Sequence, residues 1–272
     1  PAAPPSPRPL AGPVVDTHTH LNLHDRYLHG ETSPDPDELL ALAASVGVPK
    51  VVQIGCDVAY ARASIELARS RPAVVVGVSV HPNDAARLHA SEGGAALDRA
   101  IDEIGDLAGA DVVRAVGETG LDYYRTAADG RAAQAHAFGR HIALANELGK
   151  TLVIHDRDAH ADVLAALAAG PAPERVVFHC FSGDVAMARH CAERGWFMSF
   201  AGPVTYKAND VLRAALREVP DDLLLVETDA PYLTPVPERG RPNASYLMPH
   251  TVRVIAAERA TDEPAMCDLL HA

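Results

Sequence analysis

Two histidines, His18 and His20, close the short apolar run Val14-Val15-Asp16-Thr17-His18-Thr19-His20. Along a β-strand the side chains alternate faces, so residues i and i+2 offer both imidazoles to the same side, and to one metal ion. In a chain with 14 histidines the pair alone says little. Its weight comes from other runs built the same way. Val80-His81-Pro82-Asn83, Val116-Gly117-Glu118-Thr119-Gly120-Leu121-Asp122 and Val153-Ile154-His155-Asp156-Arg157 each begin apolar and stop at ionisable groups. So do Val177-Phe178-His179-Cys180-Phe181-Ser182-Gly183 and Val226-Glu227-Thr228-Asp229-Ala230-Pro231-Tyr232. Ionisable groups at the ends of buried strands are costly unless paired or metal-bound. A single histidine there is ordinarily a packing or hydrogen-bonding residue. Four of them, His18, His20, His155 and His179, together with the carboxylates Glu118 and Asp229, make a dinuclear metal site the economical reading.

The elements that would position these groups can be read from the pattern between them. Short β-branched runs beginning near Val14, Val48, Val74, Val112, Thr151, Arg175, Trp196 and Leu223 alternate with Ala- and Leu-rich segments of helical period. That is the rhythm of βα units around a parallel sheet. Eight units count out one α/β fold, a (β/α)8 TIM barrel, whose reactive groups lie at the C-terminal ends of the strands. Helix signals agree: Ser33-Pro34 turn chemistry and Asp35 precede a segment ending at Gly47, another segment ends at Gly149, and Asp184 stands where an N-cap would. A doubly wound sheet would put a glycine-rich phosphate turn after the first strand, and none is there. Residues 14–272 therefore read as one barrel domain. Residues 1–13, with six prolines and no apolar period, read as a disordered or loosely draped arm without chemistry.

Composition sets limits on the partners. The chain has 272 residues, 48% hydrophobic and 22% charged, as expected of a globular protein, and no apolar run long enough to span a bilayer. Its net charge of −12 is opposite to the basic surface of a protein that holds nucleic acid broadly. A nucleic-acid substrate would be gripped locally. Cys56, Cys180, Cys191 and Cys267 show no paired spacing, so free thiols in a reducing, cytoplasmic compartment are expected. Cys180, next to His179 in a strand, should face away from the site as a core thiol. The remaining histidines, including His24, His29, His141 and His160, are read as structural.

In order along the chain, D-T-H-T-H, H-P-N, G-E-T-G-L-D-Y-Y, I-H-D-R, H-C-F-S-G, E-T-D-A-P-Y-L-T-P and P-E-R-G-R-P-N resemble the TatD-type deoxyribonucleases of the amidohydrolase superfamily. These runs span Asp16 to Asn243. The resemblance implies a barrel carrying two divalent ions. One would be held by His18, His20 and Asp229 and the second by His155 and His179, with Glu118 bridging both. It also implies cleavage of DNA with 3′-to-5′ polarity on single-stranded or frayed ends. Two departures bear on substrate preference: Asn83 stands where the family has histidine, and Ala244-Ser245 where it has Glu-Pro. A final asparagine-containing helix is expected beyond Ala272, so the C-terminus reads as truncated.

The mechanism expected of such a site is attack by a metal-activated water on a phosphodiester, with Asp229 as proton acceptor. Arg157 is the leading phosphate clamp, with Arg125, Lys207, Arg239 and Arg241 as further candidates. His81 lines the site with or without touching metal. Tyr123 and Tyr124 could stack a terminal base, or one of them could be buried packing. The ions expected are Mg2+, Mn2+ or Zn2+, since imidazoles favour the latter two and magnesium prefers oxygen. No protein partner or membrane is required. Two alternatives remain: the same centre acting on another ester, such as D-aminoacyl-tRNA, a small phosphoester or a lactone, or a metal-binding scaffold without turnover.

Overall fold

Runs of Val and Ile that are buried on both faces pair as parallel strands, and the segments between them coil back as helices that cover the sheet. The computed structural model describes residues 3–21 and 34–271; His24, His29 and Ser33 lie outside the described residues. The strands are β1 (Val15–Thr19), β2 (Lys50–Gly55), β3 (Val74–Val78), β4 (Val113–Asp122), β5 (Thr151–Arg157), β6 (Val176–Phe178), β7 (Phe197–Phe200) and β8 (Leu224–Val226). The helices of eight or more residues are α1 (Pro36–Ser45), α2 (Val58–Arg69), α3 (Pro82–Glu92), α4 (Gly94–Ala108), α5 (Arg131–Leu148), α6 (His160–Ala168), α7 (Val185–Ala192), α8 (Asp210–Glu218), α9 (Met248–Glu258) and α10 (Glu263–His271).

All eight strands belong to one sheet, in the order β1 to β8. Neighbours pair in parallel, and Thr19 at the end of β1 bridges Ala230 just beyond β8. This is the (β/α)8 barrel expected from the spacing. No helix among the described residues is long and apolar enough to cross a membrane.

The chain divides into two compact units. The first comprises Pro1–Gln53 and Gly183–Ala272. Here Asp35 caps α1 by accepting from the Asp37 N–H, and Asp184 caps α7 by accepting from the Met187 N–H at 2.9 Å. The proline-rich arm, expected to be loose, is held along this unit. Leu10 is buried and its N–H donates to the Val46 carbonyl at 3.0 Å. The Tyr246 hydroxyl donates to the Pro4 carbonyl at 2.8 Å, and Arg253 donates to the carbonyls of Arg8 and Pro9. Side chains from α9 and from the short turn before it thus satisfy the carbonyls of a segment that has no ladder of its own.

The second unit is Ile54–Ser182. Asp57 caps α2 through the Tyr60 N–H at 2.7 Å, and Gly149 ends α5 in the left-handed conformation at φ 62°. Two glycines set the approach of β4 to β5. A Cβ on Gly117 would lie 2.4 Å from the Val153 carbonyl oxygen, and one on Gly120 2.1 Å from that of His155. Only glycine admits this contact. The consequence is local: Glu118 and Asp122 come to opposite sides of the His155 ring.

His141, on α5, is fully buried as an uncharged core residue. Its Nε2 accepts from the Val80 N–H at 3.2 Å, so Nδ1 carries the proton and donates to the Ala137 carbonyl at 2.7 Å. Burial pushes its pKa down from 6.5 to about 4. Since the folded pKa lies below the unfolded one, stability is held above pH 6.5 and lost as pH falls toward 4. One such group contributes up to about 3 kcal/mol. Urea unfolding of the metal-free protein at pH 7.5 and pH 4.5 should show this loss. In His141→Gln the decline should be shallower, and equal declines in both proteins would refute the assignment.

Candidate metal centre

In the first unit, His18 and His20 are buried and project to the same side, with ring centroids 5.1 Å apart. Alternation along β1 does this. A single carboxylate oxygen, Asp229 Oδ1, lies 3.4 Å from His20 Nε2 and 3.8 Å from His18 Nε2. Asp229 sits just past β8 at φ 53°, and its N–H donates to the His18 carbonyl at 2.9 Å. A left-handed residue is what turns its carboxylate out of the strand.

Asp16, which the sequence does not mark as a site residue, secures this corner. Its Oδ1 accepts from the Thr228 N–H at 2.9 Å and the His18 N–H at 3.3 Å, and its Oδ2 accepts from the Thr228 hydroxyl at 2.6 Å. Burial pushes its pKa up to about 7 despite those bonds. Asn243 performs the matching task on the following loop, donating to the carbonyls of Thr228 and Tyr232 at 2.9 and 2.6 Å. The signal for both residues was in the motifs D-T-H-T-H and R-P-N. Their roles needed the fold.

In the second unit, Glu118 is the focus. Its Oε2 lies 2.8 Å from His179 Nε2, 3.1 Å from His155 Nδ1 and 3.6 Å from His81 Nε2. His179 Nε2 and His155 Nδ1 are 3.4 Å apart. His155 Nε2 faces Asp122 Oδ2 at 3.1 Å and can only donate to it, so in the neutral ring Nδ1 presents a lone pair toward the Glu118 carboxylate. An oxygen and a nitrogen lone pair at that distance require a proton or a cation between them. Without a metal the proton supplies it: burial pushes the His155 pKa down, but the bonds to Asp122 and Glu118 and the Glu118 charge outweigh it and raise the pKa. Burial likewise acts to raise Asp122, and its bonds with His155, Asn83 and the Arg125 N–H overcome this and lower it well below the carboxylate range. The donor set, imidazole nitrogen with carboxylate oxygen, fits a divalent ion of the Mn2+ or Zn2+ kind.

His81 has a different part. Its Nδ1 accepts the Asn83 N–H at 3.1 Å and caps α3. The remaining nitrogen, Nε2, faces Glu118 Oε2 at 3.6 Å and carries the proton when the ring is neutral. Helix-capping by histidine has no period or motif that the sequence reading could have used.

The expected substrate contacts are placed as follows. Arg157, the last residue of β5, is exposed and lies over the Tyr124 ring at 4.0 Å. Tyr124 is 64% exposed. Tyr123 is engaged differently: its hydroxyl donates to Asp162 at 2.6 Å and Arg131 covers its ring at 3.9 Å. Arg125 is exposed, its N–H on Asp122. In the first unit, Lys207 is exposed, Arg239 stacks on Tyr206 at 4.1 Å, and Arg241 pairs with Glu238 at 3.0 Å. Cys180 departs from the expectation of a core thiol. β6 ends at Phe178, so alternation no longer governs, and Cys180 is half-buried at φ 43°.

A family model described as TatD related DNase matches residues 15–271. The chain is 40% identical over 259 residues to a Mycobacterium tuberculosis protein named "Uncharacterized metal-dependent hydrolase TatD", covering 93% of this chain and 94% of the relative. It is 34% identical over 236 residues to the "3'-5' ssDNA/RNA exonuclease TatD" of Cronobacter sakazakii, covering 84% and 86%. Among solved structures, the TatD homologue YJJV of Escherichia coli K12 matches with a TM-score of 0.84 at 23% identity over 94% of each chain, a likeness of fold.

Proposed function

The chain belongs to the TatD-related DNase family, and on that premise we propose that it is a metal-dependent hydrolase that removes nucleotides from the 3′ ends of single-stranded DNA. The observation that supports this best is the Glu118 carboxylate oxygen with His179 Nε2 and His155 Nδ1 at 2.8 and 3.1 Å. In this reading His18, His20 and Asp229 would hold one ion and His155 and His179 another, with Glu118 contributing its carboxylate. Divalent ions held there would supply positive charge for the phosphate oxygens and lower the pKa of a bound water.

The protein's own groups do the rest. The Asp229 carboxylate takes the proton from the water. His81, whose Nδ1 accepts from the Asn83 N–H, donates from Nε2 to a phosphate oxygen. Arg157 grips a phosphate; its guanidinium is fixed on the Tyr124 ring, which lowers the entropy it loses on binding. The outer face of Tyr124 stacks the terminal base. Tyr123, Arg125, Lys207, Arg239 and Arg241 contribute at longer range, Arg241 least because Glu238 already holds it. An acidic protein with one local cationic grip favours a strand end over a long duplex. The family description, TatD related DNase, and the name 3'-5' ssDNA/RNA exonuclease on relatives such as that of Cronobacter sakazakii support this reading.

The test compares turnover of a single-stranded oligonucleotide with that of D-aminoacyl-tRNA by the same metal-loaded protein. The oligonucleotide should be the faster substrate by orders of magnitude; preference for the aminoacyl ester would move the assignment to that bond. In Arg157→Ala the KM for DNA should rise about 10-fold with kcat little changed.

A further inference from the structure

We infer that Asp122, Asn83 and Gln134 form a directional relay that fixes which nitrogen of His155 faces the ion. They act as positioning residues. The inference rests on the two-ion reading only for its functional consequence, since the relay itself follows from hydrogen-bond polarity.

The direction is set by the backbone. The Asp122 N–H can only donate, and it donates to Gln134 Oε1 at 2.9 Å. That fixes the Gln134 amide, whose Nε2 then faces Asn83 Oδ1 at 3.4 Å. Asn83 Oδ1 also accepts the Thr126 hydroxyl at 2.8 Å, so the Asn83 amide nitrogen points the other way. It donates to Asp122 Oδ2 at 2.9 Å. The other carboxylate oxygen, Oδ1, is taken by the Arg125 N–H at 2.8 Å. Both of these contacts therefore deliver a donor to the Asp122 carboxylate. His155 Nε2, 3.1 Å from Oδ2, must deliver one too. Its proton is held there, and Nδ1 is left as the lone-pair atom. Asp122 is fully buried, so the carboxylate does not exchange these partners for water.

A carboxylate behind a ligating histidine fixes its tautomer and makes it a better donor, and loss of such a partner typically costs about 10- to 100-fold in metal affinity. Asp122→Asn is the sharpest probe because it preserves shape. An amide in that place cannot accept at both oxygens: either its NH2 meets the donors His155 and Asn83, or it meets the Arg125 N–H. The first orientation turns His155 over to the Nδ1-protonated form, which cannot ligate through that atom.

Nitrogen-15 NMR of the histidine rings in metal-free protein at alkaline pH should show His155 protonated on Nε2 in the wild type. In Asp122→Asn the Nε2-protonated population should fall, because the amide is a weaker acceptor for Nε2 in one orientation and a donor toward it in the other. Calorimetric titration with Mn2+ should then show one of the two ions bound about 10- to 100-fold more weakly, with the other unchanged. An Nδ1-protonated His155 in the wild type overturns the relay, as does an Asp122→Asn protein that binds both ions normally. If the variant fails to fold, the wild-type spectrum decides alone. A wild type that shows the Nε2 signature but binds only one ion contradicts the two-ion reading and leaves the relay standing.

Discussion

Glu118→Gln protein is expected to lose at least about 10³-fold in kcat/KM together with the binding of at least one divalent ion. Glu118 is buried, and one of its oxygens meets three imidazoles within 3.6 Å. Glutamine keeps the volume but removes the charge. Where the carboxylate Oε2 stood, an amide would offer either a weaker acceptor or a donor aimed at His155 Nδ1 and His179 Nε2. In the metal-free protein the change should cost little stability, because a buried negative charge disappears along with its partners' need to protonate. The diagnostic pattern is a folded protein with a depleted metal content. Full metal content with full activity would show that Glu118 is a structural residue only.

Asp229→Asn is expected to give the opposite dissociation: metal retained, turnover reduced by about 10²- to 10⁴-fold, KM nearly unchanged. Asparagine is a fair replacement on physical grounds. It tolerates the left-handed conformation found at φ 53°, keeps an oxygen toward His18 and His20, and leaves the backbone bond to the His18 carbonyl untouched. It lacks the negative charge and the capacity to take a proton, while His18 and His20 keep their nitrogens for the ion. A scaffold that binds ions without turnover would not distinguish the two side chains. An Asp229→Asn protein with the wild-type rate would exclude Asp229 as the proton acceptor.

These expectations rest on a site that was unevenly legible before the fold was known. β3 and β5 begin at Val74 and Thr151, where the β-branched runs placed them, because buried parallel strands are written as nearly unbroken apolar runs. His18 and His20 were legible for the same reason: a period of two survives into structure when one face is buried. Cys180 is half-buried rather than in the core, because β6 ends two residues before it. β4 also departs from a simple strand end. It runs on through Glu118 to Asp122, since Gly117 and Gly120 let it lie against β5.

What no spacing could show was the second tier of contacts. Asp16 reaches Thr228 across 212 residues of sequence, and Asp122 reaches His155 across 33. Both are buried carboxylates inside motifs whose histidines and glutamate drew the attention. His81 was the ambiguous member. Its role depended on a bond from the Asn83 N–H to one ring nitrogen, a detail that residue type does not encode. The arm before Val14 is a similar case, since the side chains that hold it, Tyr246 and Arg253, come from the far end of the chain.

The most direct measurement is release of nucleotides from single-stranded DNA labelled at the 3′ or the 5′ end, using metal-stripped protein to which Mg2+, Mn2+ or Zn2+ is returned. The account predicts no release without metal. With metal, it predicts early loss of the 3′ label and progressive shortening of the 5′-labelled strand. Early loss of the 5′ label would reverse the polarity, and an intact strand with every ion would contradict the nuclease assignment.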